Sequence, residues 1–406
     1  MMDLQEIFKR GGALSKCLAN YEPRSGQTAM AEAVESVLQG EDEFEIEVES
    51  GRILVIEAET GIGKTLAYLI PAALSGRRVV VSTATLNLQD QIINKDIPLV
   101  EKVLDLNLSA LCVKGRENYL CLYRWYQYRS TPQLSLVDNP WLSDIDSWLE
   151  KTDTGDRAEL DWLGEQSRIW PKISSLSTQC LGSECPESTG CFITKLRKKA
   201  GKARLLIVNH HLFFSDLVLR KGGFGELLPR YESVIFDEAH HLENVATTFF
   251  GKSFSQYQLL DLIGDIERQA KVDLPDDLID ALFAELGGIR RRVDQFTHVF
   301  PVKKGRYHLG SLIDELEGDV WQDEVELLSS AIRRLEDQLA EHQVYGDGWA
   351  VLTKRCEELN ERLREIALGC ETDDKKFVHW YEKRERAVSI SATPIEVAKD
   401  LQENLY

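Results

Sequence analysis

The sequence predicts an α/β protein with a parallel β-sheet. Four stretches each join a short apolar segment to a segment of helical apolar spacing, and the junctions are polar or glycine-rich. The stretches are GRILVIEAETGIGKTLAYLIPAAL, RRVVVSTATLNLQDQII, ARLLIVNHHLFF and YESVIFDEAHHL. This alternation is typical of parallel sheets, whose functional residues gather at the carboxyl ends of the strands.

Two regions interrupt the alternation. Residues 115–200 contain four of the eight cysteines, several Trp and Tyr residues and little strand signal. Residues 250–375 show helical apolar spacing with charge pairs four residues apart, which predicts a helical insertion. A chain of 406 residues is long enough for two or three domains.

Composition narrows the class of protein. No apolar run approaches the roughly 18 residues of a membrane span, and the N-terminus lacks the apolar core of a signal peptide. We therefore expect a cytoplasmic protein that does not act at a membrane and whose thiols are reduced. The net charge of −19 by itself argues against nucleic-acid binding. However, FITKLRKKAGKAR (192–204) has six basic residues and no acid, so a local positive surface is still expected.

AETGIGKT (58–65) predicts a phosphate-binding P-loop. It follows an apolar segment and opens a helix, and only its first position departs from the pattern, with Ala58 in place of glycine. Backbone N–H groups beside the glycines would face phosphate oxygens, the lysine would reach the β and γ phosphates, and the last threonine would ligate Mg²⁺. The alternative is a glycine-rich turn before a helix. The predicted ATP- and Mg²⁺-binding residues of the loop are Thr60, Gly61, Gly63, Lys64 and Thr65.

The second half of a hydrolysis site is predicted at residues 237–240. Asp237 would hold Mg²⁺ through water, and Glu238 would orient or activate the attacking water. Two acids after a strand could instead cap the next helix, but capping does not account for the complete D-E-A-H sequence. The predicted catalytic residues are Lys64, Asp237, Glu238 and His240.

The ordered motifs resemble those of one known family, the superfamily 2 iron–sulfur DNA helicases of the XPD/DinG type, and among them the bacterial YoaA branch. The similar stretches are YEPRSGQTAM, AETGIGKT, STATLNLQDQ, KGRENYLC, CLGSECPESTGC, VNHHLF, FGELLPRYESVIFDEAHHLENVA and FVHWYE. The resemblance implies a RecA-like first motor domain interrupted by an iron–sulfur lobe and a helical arch. The implied layout is the RecA-like domain in 1–114, 201–249 and 376–406, the iron–sulfur lobe in 115–200 and the arch-like insertion in 250–375.

The resemblance also implies roles for polar residues outside the P-loop and the D-E-A-H box. Arg24 and Gln27 match the adenine side of the ATP site, although they could be ordinary surface residues. Contacts to the backbone of the translocated DNA strand fall on Ser82, Thr83, Gln89, Asn209 and His210. For Ser82 and Thr83, helix capping is an equally good alternative. One residue of the Asn209, His210 and His211 group could simply satisfy backbone groups.

Four cysteines match the family's ligands for a [4Fe–4S] cluster: Cys121, Cys180, Cys185 and Cys191. Thiolates suit such clusters. Zinc is an alternative, although its usual C-x-x-C pairs are absent here, and unliganded thiols are a third. Because the lobe shows little secondary structure, we expect a cluster to hold it rigid.

The basic run after the last of these cysteines is a candidate surface for single-stranded DNA. Lys195, Arg197 and Lys198 lead this run, which could otherwise be a solvated helix face. Tyr119, Trp125 and Tyr128 could stack on bases or pack around the cluster.

The last stretch of the sequence, SISATPIEVAKDLQENLY, contains an S-A-T tripeptide. We interpret it as a lookalike of the family tripeptide that links ATP hydrolysis to DNA movement, so that the chain stops at the first motor domain and a second RecA-like domain is absent. Because the second domain supplies an arginine finger in this family, we expect that the chain cannot unwind DNA alone.

The sequence thus predicts the N-terminal portion of an ATP-dependent 5′→3′ DNA helicase used in repair or replication. By resemblance it is a monomeric, nucleoid-associated bacterial protein that uses ATP, Mg²⁺ and a [4Fe–4S] cluster. It would act on single-stranded or forked DNA, with replication or repair proteins as partners. The alternatives are a non-catalytic DNA-binding iron–sulfur module, a nuclease fusion partner and a zinc-dependent regulatory ATPase.

Overall fold

The computed structural model describes residues 3–40, 47–48, 51–130, 140–164, 167, 169–176, 179–221, 227–346, 348–370, 376–385, 387–398 and 401. The chain forms two compact units, one that extends to Val245 and one that begins at Ala246. Each unit has a hydrophobic core of its own. Within the described ranges, no helix is long and apolar enough to cross a membrane.

A four-stranded parallel sheet forms the centre of the first unit. A short antiparallel pair, β1 (Glu47–Val48) and β2 (Gly51–Arg52), precedes it. The sheet strands are β3 (Val79–Thr83), β4 (Ala110–Cys112), β5 (Leu205–Asn209) and β6 (Ser233–Phe236), in the order β4–β5–β3–β6. All neighbouring pairs are parallel, with Val79 opposite Leu205 and Ser233. The predicted α/β class with a parallel sheet is confirmed.

Helices surround this sheet and build the segment that follows β4. They are α1 (Leu4–Phe8), α2 (Ala13–Cys17), α3 (Ser25–Gln39), α4 (Lys64–Leu74), α5 (Leu86–Gln91), α6 (Ile97–Leu104), α7 (Leu122–Arg129), α8 (Pro140–Leu149), α9 (Trp170–Ile173), α10 (Phe192–Ala200), α11 (His210–Lys221) and α12 (Leu242–Phe250), the last of which crosses the unit boundary. A π-helical turn, Ile92–Asp96, joins α5 to α6. Pro98 follows this turn, and the wider turn accommodates a residue that lacks an N–H and crowds the preceding carbonyl.

The segment before the P-loop differs from the predicted buried strand. Leu54 and Ile56 pack against the core, whereas Val55 is 83% exposed. In the part of the chain that the structure describes, residues 53–59 pair with no strand. Apolar residues alone do not make a strand, because the backbone groups also need a neighbouring strand for pairing.

The cysteine lobe, residues 115–200, contains a small core between the helices α7 to α10. Its buried residues are Leu120, Trp125, Ile145, Leu160, Leu163, Ile169, Trp170, Ile173 and Phe192. Trp125 donates its indole N–H to Asp146, and Trp170 donates to the Glu117 carbonyl at 2.7 Å. The lobe therefore buries more apolar surface than its weak secondary-structure signal predicts, since aromatic side chains bury large areas on short helices.

The second unit packs long helices against an antiparallel sheet. The helices are α13 (Gln256–Asp273), α14 (Asp276–His298), α15 (Leu309–Glu315), α16 (Val320–Glu341) and α17 (Gly348–Gly369). The strands are β7 (Lys252–Ser255), β8 (Gly305–His308), β9 (Phe377–Lys383) and β10 (Val388–Pro394), in the order β7–β10–β9–β8. A capping box formed by Ser255 and Gln258 starts α13.

The position of β9 and β10 differs from the expected return of residues 376–406 to the parallel sheet. β10 pairs antiparallel with β7 and β9, β9 also pairs antiparallel with β8, and Tyr381 lies opposite Ile390 and Tyr307. In β10, Ser389 and Thr393 are partly exposed and the other residues are buried, including Ser391. The place of this segment is therefore set by its strand partners rather than by a strict alternation of exposed and buried residues.

Candidate active site and cysteine lobe

The P-loop turns into α4 through two glycines with left-handed backbone. Gly61 has φ +82° and Gly63 has φ +91°, a region that disfavours any side chain. A Cβ on Gly63 would lie 2.1 Å from Nε2 of Gln27. Glycine at position 63 is therefore required both by its backbone and by its neighbour.

Arg24 and Gln27, predicted for the adenine side, contact the P-loop backbone. The Arg24 guanidinium donates to the Gly61 carbonyl, and the Gln27 amide donates to the Gly63 carbonyl at 3.0 Å. Gln27 is 3% exposed and also accepts a hydrogen bond from the Tyr21 hydroxyl at 3.2 Å. These two side chains hold the loop carbonyls on one side, so that α4 starts in a defined orientation.

The structure brings the P-loop lysine to the D-E-A-H box. The Lys64 ammonium lies 3.6 Å from the Glu238 carboxylate and 3.4 Å from the Ala58 carbonyl. Glu238 has a left-handed backbone with φ +56°, which is strained for a residue with a side chain. Its other oxygen lies 3.4 Å from Nδ1 of the exposed His240. Strain of this kind is often found at functional sites.

Asp237 is held from two directions at the end of β6. Its backbone N–H donates to the Ser82 carbonyl at 2.8 Å, and one carboxylate oxygen accepts from the Tyr68 hydroxyl at 3.2 Å. Burial raises the pKa of this carboxyl, Tyr68 opposes the shift, and the nearby Glu238 adds to it. Positive charge beside Asp237 would therefore be favourable. The sequence analysis did not single out Tyr68, whose only local signal is a hydroxyl within an apolar helical run.

The predicted DNA contacts at Ser82, Thr83, Gln89 and His210 are not supported, because all four residues are fully buried. The Ser82 hydroxyl and His210 Nδ1 are 2.7 Å apart and join the ends of β3 and β5. Burial lowers the pKa of His210 to about 4, so its imidazole is neutral at pH 7. The Gln89 side-chain amide donates to the carbonyls of Val113 and Ile207, at 3.1 Å each. These groups stabilise the sheet from within.

Two helix caps also differ from the predicted roles. The cap of α5 is Thr85, which accepts from the Leu88 N–H at 3.3 Å, rather than Ser82 or Thr83. Asn209 accepts from the Leu212 N–H at 2.8 Å and so caps α11. Its amide is only partly exposed, and a DNA contact would compete with this cap.

The basic run on α10 is exposed. Lys195, Arg197 and Lys198 all face solvent, as do Lys199, Lys202 and Arg204 further on. By contrast, Tyr119 is 2% and Trp125 0% exposed, which leaves neither ring free for base stacking. Tyr128 packs partly against the lobe core. Of the lobe residues predicted to contact DNA, the basic run is therefore accessible, whereas Tyr119 and Trp125 are not.

The four predicted ligand cysteines occupy three short segments of the lobe. Cys121 precedes α7, Cys191 precedes α10, and Cys185 follows a single 3₁₀ turn. Burial raises the pKa of Cys121, and the neighbouring Cys191 and Cys185 add to the shift. Cys180 is exposed and accepts from the Arg116 guanidinium at 3.5 Å. Across the described ranges, no three His, Cys, Asp or Glu side chains converge closely enough to hold a metal ion.

The four thiols suit a group held by thiolates, and Cys185 and Cys191 lie near enough to Cys121 to contribute to the raised pKa of its thiol. Their side chains do not form a preassembled cage. Cys180 would have to leave Arg116 and approach the other three for a four-thiolate site.

A buried ion pair joins the lobe to the parallel sheet. The Lys114 side chain, 4% exposed, lies 2.8 Å from Asp90 on α5 and 3.0 Å from Asp156 in the lobe. The Lys114 backbone N–H donates to the Tyr119 hydroxyl at 3.1 Å. The first residue of the K-G-R-E-N-Y-L-C motif, Lys114, therefore links α5 to the lobe. The motif alone does not predict this link, since neither aspartate lies in it.

Comparisons with known proteins agree with this geometry. The DEAD/DEAH box helicase family matches residues 30–131. The chain is 34% identical to the ATP-dependent DNA helicase YoaA of Haemophilus influenzae, over 97% of this chain and 59% of that protein. For the ATP-dependent DNA helicase YoaA of Escherichia coli the identity is 35%, over 98% of this chain and 60% of that protein. The 3′-5′ exonuclease DinG of Bacillus subtilis is 27% identical over 97% of this chain and 45% of its own length. The chain thus spans about three fifths of the length of the YoaA relatives.

Proposed function

We propose that this chain belongs to the DEAD/DEAH box helicases of the DinG and YoaA type, and that it binds and hydrolyses ATP at its P-loop as part of a 5′→3′ DNA helicase. The observation that carries the proposal is the 3.6 Å approach of the Lys64 ammonium to the Glu238 carboxylate. It joins a phosphate-binding group and a water-orienting group in one site. The polarity rests on the family resemblance.

The residues divide the work of hydrolysis between them. Backbone N–H groups at the start of α4 bind phosphate oxygens, and Lys64 moves from Glu238 to the β and γ phosphates. That exchange releases the Glu238 carboxylate to orient the attacking water. Thr65 and Asp237 would hold Mg²⁺, which neutralises charge on the transferred phosphoryl group.

Hydrolysis of ATP by the purified chain tests the proposal, with and without single-stranded DNA. Lys64→Ala should abolish binding of a fluorescent ATP analogue. Glu238→Gln should retain binding and lower turnover by about 10²–10⁴, the usual contribution of a group that handles the proton of the attacking water. If Glu238→Gln hydrolyses ATP as fast as the wild type, the assignment of this site is wrong. DNA binding without any ATP turnover would instead favour the non-catalytic DNA-binding module.

We further propose that the cysteine lobe holds a [4Fe–4S] cluster on Cys121, Cys180, Cys185 and Cys191. The proposal is supported by the thiolate chemistry of the four residues and by their placement at the starts of α7 and α10 and beside one 3₁₀ turn of the lobe. Anaerobically purified protein should contain about four irons and four acid-labile sulfides per chain, with visible absorption. Cys185→Ser should remove most of the iron, and the matched control Cys356→Ser, at a buried cysteine of the second unit, should keep it. Stoichiometric zinc without sulfide would contradict the proposal.

The exposed basic run on α10 is our proposed contact for single-stranded or forked DNA. Replacing Lys195, Arg197 and Lys198 with alanine should weaken binding to all sequences alike and reduce the salt dependence of log K by about 0.7 for each lost phosphate contact. An unchanged salt slope would show that α10 is only a solvated face.

A further inference from the structure

A buried tyrosine hydroxyl contacts the Asp237 carboxylate, which is expected to hold Mg²⁺. Tyr68 stands one helical turn after Lys64 in α4 and is 2% exposed. Its hydroxyl donates to Oδ2 of Asp237 at 3.2 Å. One hydroxyl of the helix that follows the P-loop thus reaches the first acid of the D-E-A-H box.

Packing accounts for the ring of Tyr68 but not for its hydroxyl. The ring belongs to the hydrophobic core of the first unit, together with Leu69 and Val81. A phenylalanine would fill the same space, and a hydroxyl in such surroundings costs free energy unless it is hydrogen-bonded. The hydroxyl is therefore placed by its hydrogen bond to Asp237.

We infer that Tyr68 is a positioning residue that holds the Asp237 carboxylate in place for Mg²⁺ before the nucleotide arrives. The inference rests on the proposed function. With one carboxylate oxygen engaged by Tyr68, Asp237 cannot rotate freely and presents its other oxygen to the metal and its water. Residues that hydrogen-bond to metal ligands in this way typically account for about 10–100-fold in metal affinity.

The test is Tyr68→Phe, which keeps the ring and removes the hydroxyl. Mg²⁺ is titrated into protein mixed with a fluorescent ATP analogue, and the affinity for the analogue is measured separately in EDTA. We expect the Mg²⁺ midpoint to rise about tenfold while the affinity in EDTA stays unchanged, because the hydroxyl acts on the metal ligand alone. A purely structural role would move both affinities or neither. The matched control is Tyr307→Phe, which removes a hydroxyl that bonds only to a carbonyl in the second unit.

A double-mutant cycle checks the route of the effect. If Tyr68 acts through Asp237, the Tyr68→Phe change should have little further effect on the Mg²⁺ midpoint in an Asp237→Asn background. Full additivity of the two changes would overturn the inference, as would an unchanged Mg²⁺ midpoint in Tyr68→Phe alone. If the wild-type protein binds no Mg²⁺–nucleotide, the proposed function fails and this inference fails with it. If the wild-type protein binds Mg²⁺–nucleotide normally and Tyr68→Phe leaves the midpoint unchanged, only this inference fails.

Discussion

Replacing the buried Lys114 with methionine should destabilise the first unit more than the same replacement of a lysine on its surface. The ammonium is 4% exposed and bonds to Asp90 and Asp156, which come from α5 and from the cysteine lobe. Methionine fills most of the space but leaves two carboxylates near each other without a cation. The prediction concerns the joint between the lobe and the sheet.

The size of the effect follows from the burial of the three groups. Removing one partner of a buried ion pair usually costs about 3–5 kcal/mol. The Asp156 and Asp90 side chains are 18% and 35% exposed, so water relieves part of the unpaired charge. We therefore expect about 3 kcal/mol, at the lower end of that range, or a fall of about 6–12 °C in the unfolding temperature of a unit of this size.

Tryptophan fluorescence during denaturation is a suitable assay, because five of the eight tryptophans lie between residues 115 and 200. Lys198→Met, at an exposed position of α10, is the matched control. Adding Asp90→Asn and Asp156→Asn to Lys114→Met should restore much of the stability, since no buried charge is then unpaired. If Lys114→Met and Lys198→Met unfold within about 0.5 kcal/mol of each other, the usual range for surface changes, the reasoning is refuted.

Three further predictions concern the active site and its support. Because burial lowers the pKa of His210 from 6.5 to about 4, the unfolded chain binds this proton first as the pH falls. The free energy of unfolding should therefore fall by about 2 kcal/mol between pH 7 and pH 5 because of His210. Denaturation of His210→Gln at the same two pH values should lack this loss. Gly63→Ala should bind the ATP analogue about tenfold more weakly. The reason is that residue 63 has φ +91° and its Cβ would lie 2.1 Å from Gln27, which places roughly 1–2 kcal/mol of strain on the P-loop. Equal affinity would contradict the assignment. Asn209→Ala should cost about 1 kcal/mol in the free energy of unfolding through loss of the α11 cap, and an unchanged denaturation midpoint would argue against that cap.

The site residues that could be predicted from the sequence are those whose backbone conformation is set by residues adjacent in the chain. The glycines of the P-loop, Lys64 and the two acids of the D-E-A-H box act at turns that follow or precede regular elements, and such turns have local signatures. The exposed basic run on α10 was also visible locally, because a run of like charges without acidic partners usually remains in water. The fold class followed from the period of the apolar residues in the same way.

Burial and pairing were decided by tertiary structure. Polar residues at strand ends can face solvent or the interior, and Ser82 turned inward because a histidine 128 residues away fills the space beside it. Tyr68 contacts Asp237 across 169 residues, and Lys114 pairs with one aspartate on α5 and another in the lobe. The segment containing S-A-T joined an antiparallel sheet because its partners are β7, within the helical insertion, and the adjacent strand β9. Local propensity describes what a segment can form, whereas the energy of a buried polar group depends on partners that only the assembled fold brings near.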